Sequence, residues 1–220
     1  MADPLWYVAY GSNLRLERLS CYVAGGRPEG GARTYPGCRD TRAPEQMAPI
    51  VLAGRIYFAG ESLVWGGGMA FYDRDAKGSV AARAYLLTLG QFSDIAAQEM
   101  RRAPGQDLDL GNLGELGDEG LYRLGPGRYE TIIPVGWRAG FPMLTITASS
   151  PNELPLAPPS RAYLSSIAAG LRESHGWTPT QIAEYLADAP GVAPPWSHEG
   201  LVAVADAAMV ADPGPLSGVD

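Results

Sequence analysis

The alternation of apolar and polar residues divides the chain into short strands and a few amphipathic helices. The clearest strand covers residues 80–87, where successive side chains alternate between two faces. Residues 6–10 form a shorter apolar and aromatic run that Gly11-Ser12-Asn13 ends abruptly, which predicts a strand followed by a tight loop. Further strands are predicted at residues 50–58, 68–72, 128–137 and 142–148, with Pro134 marking a bulge or a sheet edge.

Helices are predicted where apolar residues recur at helical spacing. The first predicted helix begins at Leu16, the second covers residues 88–102, the third follows the N-cap Ser160, and the fourth runs from Thr178 to Ala187. Strands and helices do not alternate regularly along the chain, so most strands are expected to be connected as hairpins. The pattern therefore predicts a mixed α/β fold, with a small antiparallel or mixed, barrel-like sheet flanked by helices.

The composition adds long loops to this picture. The chain has 220 residues, of which 28 are glycine and 19 are proline, and 46% are hydrophobic. This hydrophobic content is sufficient for a core, and the glycine and proline content favours turns and loops over a helical bundle. Residues 106–127 are read as an insertion or a lid-like loop. We expect one domain over residues 1–190 and a C-terminal extension, partly flexible, over residues 191–220.

The charge and the metal-ligating residue types exclude several classes of function. A net charge of −7 argues against a nucleic-acid partner, because no basic stripe is present to neutralise phosphates. No run reaches membrane-spanning length, so a cytoplasmic protein without a membrane partner is expected. The CxxC, HExxH and zinc-finger spacings are absent, so we predict no cofactor and no metal. The sequence leaves the oligomeric state open, a homodimer included.

The tight loop after the first strand has two interpretations. Gly11 lets the backbone approach a ligand closely, and N–H groups at a helix N-terminus suit a carboxylate or an oxyanion. Alternatively, Ser12 and Asn13 cap the helix that follows, and the loop is an ordinary turn. The residue types alone favour the second interpretation.

Glu99 stands where the apolar stripe of the second predicted helix calls for an apolar residue. A carboxylate on an inward face has a pKa raised by desolvation, which suits a general acid or base near neutral pH. The alternative is a glutamate at the rim of the stripe, paired with Arg102 or with Arg83. Spacing alone does not choose between the two.

Several of these segments resemble the γ-glutamylcyclotransferase family. The opening of the family is resembled by residues 7–14 and by Glu17-Arg18-Leu19. Within the first of these segments, the five consecutive residues Tyr10 to Leu14 match the family signature. Residues 95–99 are similar to its segment ending in Gln-Glu, which implies Glu99 as the catalytic acid/base. Residues 129–133 and 159–171 resemble two later segments. The resemblance implies that the substrate is bound by Tyr10, Gly11, Ser12, Asn13, Leu14, Tyr129 and Tyr163, although Tyr163 can also be a simple packing residue.

The activity that this resemblance implies is release of 5-oxoproline and a free amine from a γ-glutamyl amide, with the substrate amine as nucleophile. Residues 143–147 lack the aromatic that relatives commonly carry in that strand, which favours a changed substrate. Two other hypotheses remain open: another amide-forming or amide-cleaving acyl transfer in small-molecule biosynthesis, and a non-catalytic small-molecule binding module.

Overall fold

The structure is a computed structural model that describes residues 4–111, 120–151 and 153–210. Eight strands and five α-helices are described, together with a 3-10 turn at Ser12–Leu14. The strands are β1 (Pro4–Ala9), β2 (Gln46–Ala53), β3 (Arg55–Ala59), β4 (Met69–Asp73), β5 (Ser79–Thr88), β6 (Tyr122–Arg123), β7 (Thr131–Arg138) and β8 (Phe141–Thr147). The helices are α1 (Leu16–Val23), α2 (Leu89–Glu99), α3 (Arg161–His175), α4 (Pro179–Ala187) and α5 (His198–Val210).

Six strands form one curled mixed sheet, in the order β2-β5-β1-β8-β7-β6. The pairing of β1 with β8 is parallel and the other pairings are antiparallel. Strands β3 and β4 form a separate antiparallel hairpin. This architecture confirms the predicted mixed α/β fold with a barrel-like sheet flanked by helices.

Strand β1 is buried on both faces and separates two hydrophobic cores. Trp6 and Val8 face a core that α3, α4 and α5 complete, whereas Leu5 and Tyr7 face a second core that contains residues of α1 and α2. Successive side chains of a strand point to opposite faces, so an apolar strand without polar interruptions is suited to this central position. The C-terminal end of β1 therefore opens at the centre of the molecule.

The predicted strand at residues 50–58 is divided into β2 and β3, which belong to different sheets. The break is Gly54, whose φ of +116° is one that side chains disfavour. A Cβ atom there would lie 2.5 Å from the backbone oxygen of Asp73. A bulge between Pro134 and Trp137 interrupts the pairing of β7 with β8, as Pro134 predicts.

Helix α5 was not predicted from the sequence. Its residues Leu201, Val204 and Ala205 are buried in the same core as α3 and α4. Helix α5 thus packs against the main body, and residues 211–220 of the predicted extension lie outside the described residues. Most of the predicted loop at 106–127 is described, except residues 112–119. No helix within the described ranges is long and apolar enough to cross a membrane.

Candidate active site

The tight loop after β1 becomes the 3-10 turn, and its neighbours hold it from two sides. Neither Ser12 nor Asn13 accepts a capping hydrogen bond, so the interpretation as a capped helix start is wrong. The hydroxyl of Tyr85 donates to the backbone oxygens of Asn13, at 2.8 Å, and Leu14, at 3.0 Å. Arg83 Nη1 also donates to the Leu14 oxygen at 3.1 Å. The first backbone N–H groups of a helical turn have no hydrogen-bond partner within the turn, so this turn can offer them as donors to a bound group.

Helix α2 ends at Glu99 and places this side chain beside the loop. The helix begins with a capping box, in which Thr88 and Gln91 satisfy each other's backbone N–H groups. Eleven residues later the helix ends, and Arg101 adopts a left-handed conformation with φ +59°. Glu99 is half-buried and lies on the side of α2 that faces the 3-10 turn.

Glu99 and the loop meet through Asn13. The Asn13 Nδ2 atom donates to Glu99 Oε1 at 3.4 Å and to the Tyr7 hydroxyl at 3.0 Å. Burial raises the pKa of Glu99 above its usual value, and the positive charge of Arg18 together with hydrogen bonds from Tyr22 and Asn13 opposes this rise. The result is a carboxyl group with a raised pKa, held next to the loop.

The partners predicted for a rim glutamate are engaged elsewhere. Arg102 Nη2 lies 2.8 Å from Glu130 Oε1, and Arg83 Nη1 lies 2.5 Å from Glu173 Oε1. The alternative in which Glu99 pairs with Arg102 or Arg83 is therefore wrong, and its carboxylate is available to the cavity.

Glu99 and the loop after β1 line the same cavity, which has a volume of about 100 Å³. Most of the predicted site residues line it, namely Tyr10, Gly11, Ser12, Asn13, Glu99, Tyr129 and Tyr163. Leu14 does not line it, because its side chain is fully buried among the core residues that pack beneath α3. Leu14 thus anchors the loop from behind and has no surface for a ligand to contact.

The three tyrosines predicted for the site are fixed to the surrounding backbone. The Tyr129 hydroxyl donates to the Ala70 oxygen at 2.7 Å, and the Tyr10 hydroxyl donates to the Ile146 oxygen at 2.8 Å. The Tyr163 hydroxyl accepts from the Ala70 N–H at 3.2 Å, and burial raises its pKa to about 12. These phenols therefore stay protonated near neutral pH. A Cβ atom on Gly11 would lie 3.1 Å from the Tyr163 oxygen, so glycine keeps the cavity open here.

Three arginines that were not predicted as site residues also line the cavity: Arg18, Arg33 and Arg101. Arg18 is 4% exposed, and its guanidinium lies 4.3 Å from the ring centre of Tyr22 and 4.5 Å from that of Tyr35. Its Nη2 donates to the Tyr35 hydroxyl at 2.8 Å, while Nε and Nη1 have no hydrogen-bond partner among the described residues. The sequence signal was an arginine within a segment that resembles the family, but an arginine in an amphipathic helix usually faces solvent.

The site is thus a cavity in which one carboxyl group faces a donor-rich loop. No family model matches the chain. A solved structure described as a gamma-glutamyl cyclotransferase superimposes with a TM-score of 0.52 at 15% identity, covering 93% of this chain and 99% of that one. An uncharacterized human protein superimposes with a TM-score of 0.51 at 18% identity and the same coverage. The chain therefore has the fold of γ-glutamyl cyclotransferase.

One curated protein is also similar in sequence. Histone deacetylase 5 of Arabidopsis thaliana is 28% identical over 198 residues, which cover 83% of this chain and 30% of that protein. The chain spans less than a third of the length of the curated relative that it matches.

Proposed function

We propose that this protein is a γ-glutamylcyclotransferase-type enzyme, which converts a γ-glutamyl amide into 5-oxoproline and a free amine. The observation that carries the proposal is the contact between Glu99 and the loop after β1 within one cavity. The fold is consistent with it. The reaction also requires little else of the protein, because the substrate supplies its own nucleophile.

In the reaction, the α-amino nitrogen of the substrate attacks its own γ-carbonyl carbon. The new C–N bond closes the five-membered ring, and the original amide C–N bond breaks. Glu99 takes a proton from the ammonium nitrogen before the attack and returns one to the departing amine nitrogen. The attacking nitrogen loses a second proton as the lactam N–H forms, and the departing nitrogen gains a second one as it becomes an ammonium ion, so the protons balance. The raised pKa of Glu99 suits both steps, because its carboxylate accepts a proton more readily than an exposed one.

The loop and the cavity walls meet two other requirements of the reaction, which are the binding of negative charge and the positioning of the glutamyl chain. The backbone N–H groups of the turn that begins at Ser12 and Asn13 are assigned to the developing oxyanion or to the substrate α-carboxylate. The half-enclosed cavity holds the glutamyl chain in a ring-closing pose, which contributes much of the rate enhancement of an intramolecular reaction.

One observation favours a second candidate, another acyl transfer in the same pocket. Strand β8 contributes Ile146 to the cavity, and residues 143–147 lack the aromatic that the resemblance leads us to expect in this strand. An aliphatic wall there leaves space for a different acyl donor. A purely non-catalytic binding module explains less, because it has no use for a half-buried acid with a raised pKa.

The proposal is tested by 5-oxoproline release from a panel of γ-glutamyl amides, beginning with γ-glutamylalanine. The Glu99→Gln variant keeps the shape of the side chain but cannot relay a proton, so its rate should fall by roughly a hundredfold to ten-thousandfold. Glu184→Gln, an exposed position on α4, makes the same chemical change away from the cavity and should keep full activity. Equal rates for wild type and Glu99→Gln on every donor would reject the proposal.

A further inference from the structure

Arg18 is a buried charge that has no counter-ion in direct contact. Its guanidinium lies 4.3 Å from the ring centre of Tyr22, 4.5 Å from that of Tyr35 and 5.8 Å from that of Trp65. No salt bridge joins it to a carboxylate in the part of the chain that the structure describes. Because a guanidinium stays protonated in proteins and a buried unpaired charge is costly, a compensating negative charge is expected nearby.

The cavity contains one group that can supply this negative charge. Glu99 is the only carboxylate among the described residues that line the cavity, and Arg18 lines it as well. Tyr22 connects the two groups, because its ring packs against the guanidinium and its hydroxyl forms a hydrogen bond with Glu99. Opposite charges attract each other more strongly in a protein interior than in water at the same distance. Arg18 and Glu99 are therefore coupled electrostatically without a salt bridge between them.

The other titratable groups that face Glu99 are phenols and two further arginines. Arg33 is half-buried and Arg101 is exposed, so solvent screens their charges more than it screens the buried charge of Arg18. The phenols come from four separate parts of the fold, and burial raises the pKa of each, so they stay uncharged near neutral pH: Tyr7, Tyr22, Tyr129 and Tyr163. Arg18 is thus the least screened charge that faces the acid.

We propose that Arg18 is a positioning residue of the reaction, which keeps Glu99 in its carboxylate form at the pH where the enzyme works. This role rests on the proposed function, since it concerns the pH range in which Glu99 can act as the base. Burial by itself raises the pKa of Glu99, and the charge of Arg18 opposes this rise. The Nε and Nη1 atoms of Arg18 have almost no accessible surface, and Nη2 donates to the Tyr35 hydroxyl. Its charge therefore acts on the reaction through Glu99.

The first test follows the protonation of Glu99 directly and needs no turnover. In protein labelled with carbon-13 in its glutamate side chains, NMR reports the titration of the Glu99 carboxyl carbon, which is assigned by its loss in Glu99→Gln. Arg18→Met removes the charge and keeps an unbranched side chain that packs well against aromatic rings. Its titration midpoint should lie above that of wild type by about one pH unit or more. Arg18→Lys restores a positive charge and should titrate close to wild type.

Two more variants separate the loss of charge from a change in packing. Arg18→Gln also removes the charge but keeps a donor for the Tyr35 hydroxyl, so its midpoint should agree with that of Arg18→Met. If circular dichroism shows that Arg18→Met does not fold, Arg18→Gln decides the test. Arg161→Gln removes an exposed charge at the start of α3, outside the cavity lining, and should titrate as wild type does. A midpoint that is unchanged when the Arg18 charge is removed would overturn the inference.

The pH dependence of kcat/KM for γ-glutamylalanine tests the same coupling during catalysis. The acid limb of this profile reports the essential base of the free enzyme. In Arg18→Met this limb should move upward by as much as the NMR midpoint does, so that kcat/KM on the limb falls about tenfold for each pH unit of the move. Above both midpoints kcat/KM should return towards that of wild type.

The two measurements together distinguish failure of this inference from failure of the proposed function. A loss of kcat/KM that is equal at every pH would show that Arg18 supports only the structure, and would overturn the inference. Absence of 5-oxoproline from wild type and all variants, with the NMR midpoint still moved in Arg18→Met, would reject the proposed function and support the coupling of Arg18 to Glu99.

Discussion

Helix α3 packs so closely against the loop that a single methyl group should disturb the site. A Cβ atom on Gly170 would lie 2.5 Å from the backbone nitrogen of Arg15, 2.5 Å from Leu14 Cβ and 2.6 Å from the Leu14 carbonyl carbon. Two of these atoms belong to the backbone and cannot rotate away. Gly170→Ala should therefore push apart α3 and the segment that carries Ser12 and Asn13.

The expected change in stability follows from two opposing effects. Alanine stabilises a helix interior by about 1 kcal/mol relative to glycine. Overpacking a tight contact costs about 1–3 kcal/mol, and contact with backbone places this case at the upper end. The free energy of unfolding of Gly170→Ala should thus fall by about 1–2 kcal/mol, although the same substitution in an open helix raises it.

Gly200 in α5 provides the matched control. A Cβ atom there would meet Ser197 Oγ at 3.4 Å and Trp196 Cε3 at 3.7 Å, which are ordinary contacts. Urea unfolding should show Gly200→Ala to be as stable as wild type or more stable, by up to about 1 kcal/mol. Activity of Gly170→Ala should fall at a temperature where it remains folded. If Gly170→Ala is stabilised as Gly200→Ala is, the close packing of α3 on the loop does not hold the site.

Two further predictions concern the groups around the loop and the acid. Tyr85→Phe removes the hydroxyl that donates to the Asn13 and Leu14 oxygens. Urea unfolding should show that the free energy of unfolding falls by about 1–2 kcal/mol, and steady-state kinetics should show a higher KM. An unchanged KM would argue against the support of the loop by Tyr85. The raised pKa of Glu99 means that the folded protein binds this proton more tightly than the unfolded chain does, so its contribution to stability falls as pH rises from the ordinary glutamate pKa towards the raised one. Glu99→Gln should therefore gain stability relative to wild type between acidic and neutral pH, and a difference independent of pH would contradict the raised pKa.

The sequence predicted the fold where periodicity was strong. The alternation at residues 80–87 and the caps Ser160 and Thr178 correspond to β5, α3 and α4. Helix α5 was missed because its alanine-rich sequence has a weak periodic signal and follows a proline-rich stretch. The single strand predicted at residues 50–58 is two strands that meet at Gly54, because the close approach of Asp73 to Gly54 is a tertiary contact that the pattern of apolar residues does not reveal.

The candidate site was predicted in part. The spacing of the helical stripe left Glu99 open between an inward acid and a rim residue, and the resemblance pointed to the acid and to the loop at residues 10–14; the structure shows Glu99 half-buried beside that loop. The arginines were not found, because a long charged side chain in an amphipathic segment is normally solvated. Only the fold shows that Tyr22 and Tyr35 enclose Arg18 and that the end of α2 turns Arg101 towards the cavity.

Cyclisation at this site is tested most directly by product analysis of γ-glutamylalanine turnover in water labelled with heavy oxygen. Ring closure by the substrate's own amine incorporates no oxygen from water, so mass spectrometry should find unlabelled 5-oxoproline together with alanine. The same sample from Glu99→Gln should contain both products at a level lower by roughly a hundredfold to ten-thousandfold. Glutamate carrying one heavy oxygen atom would show instead that water attacks the amide, which contradicts cyclisation at this site.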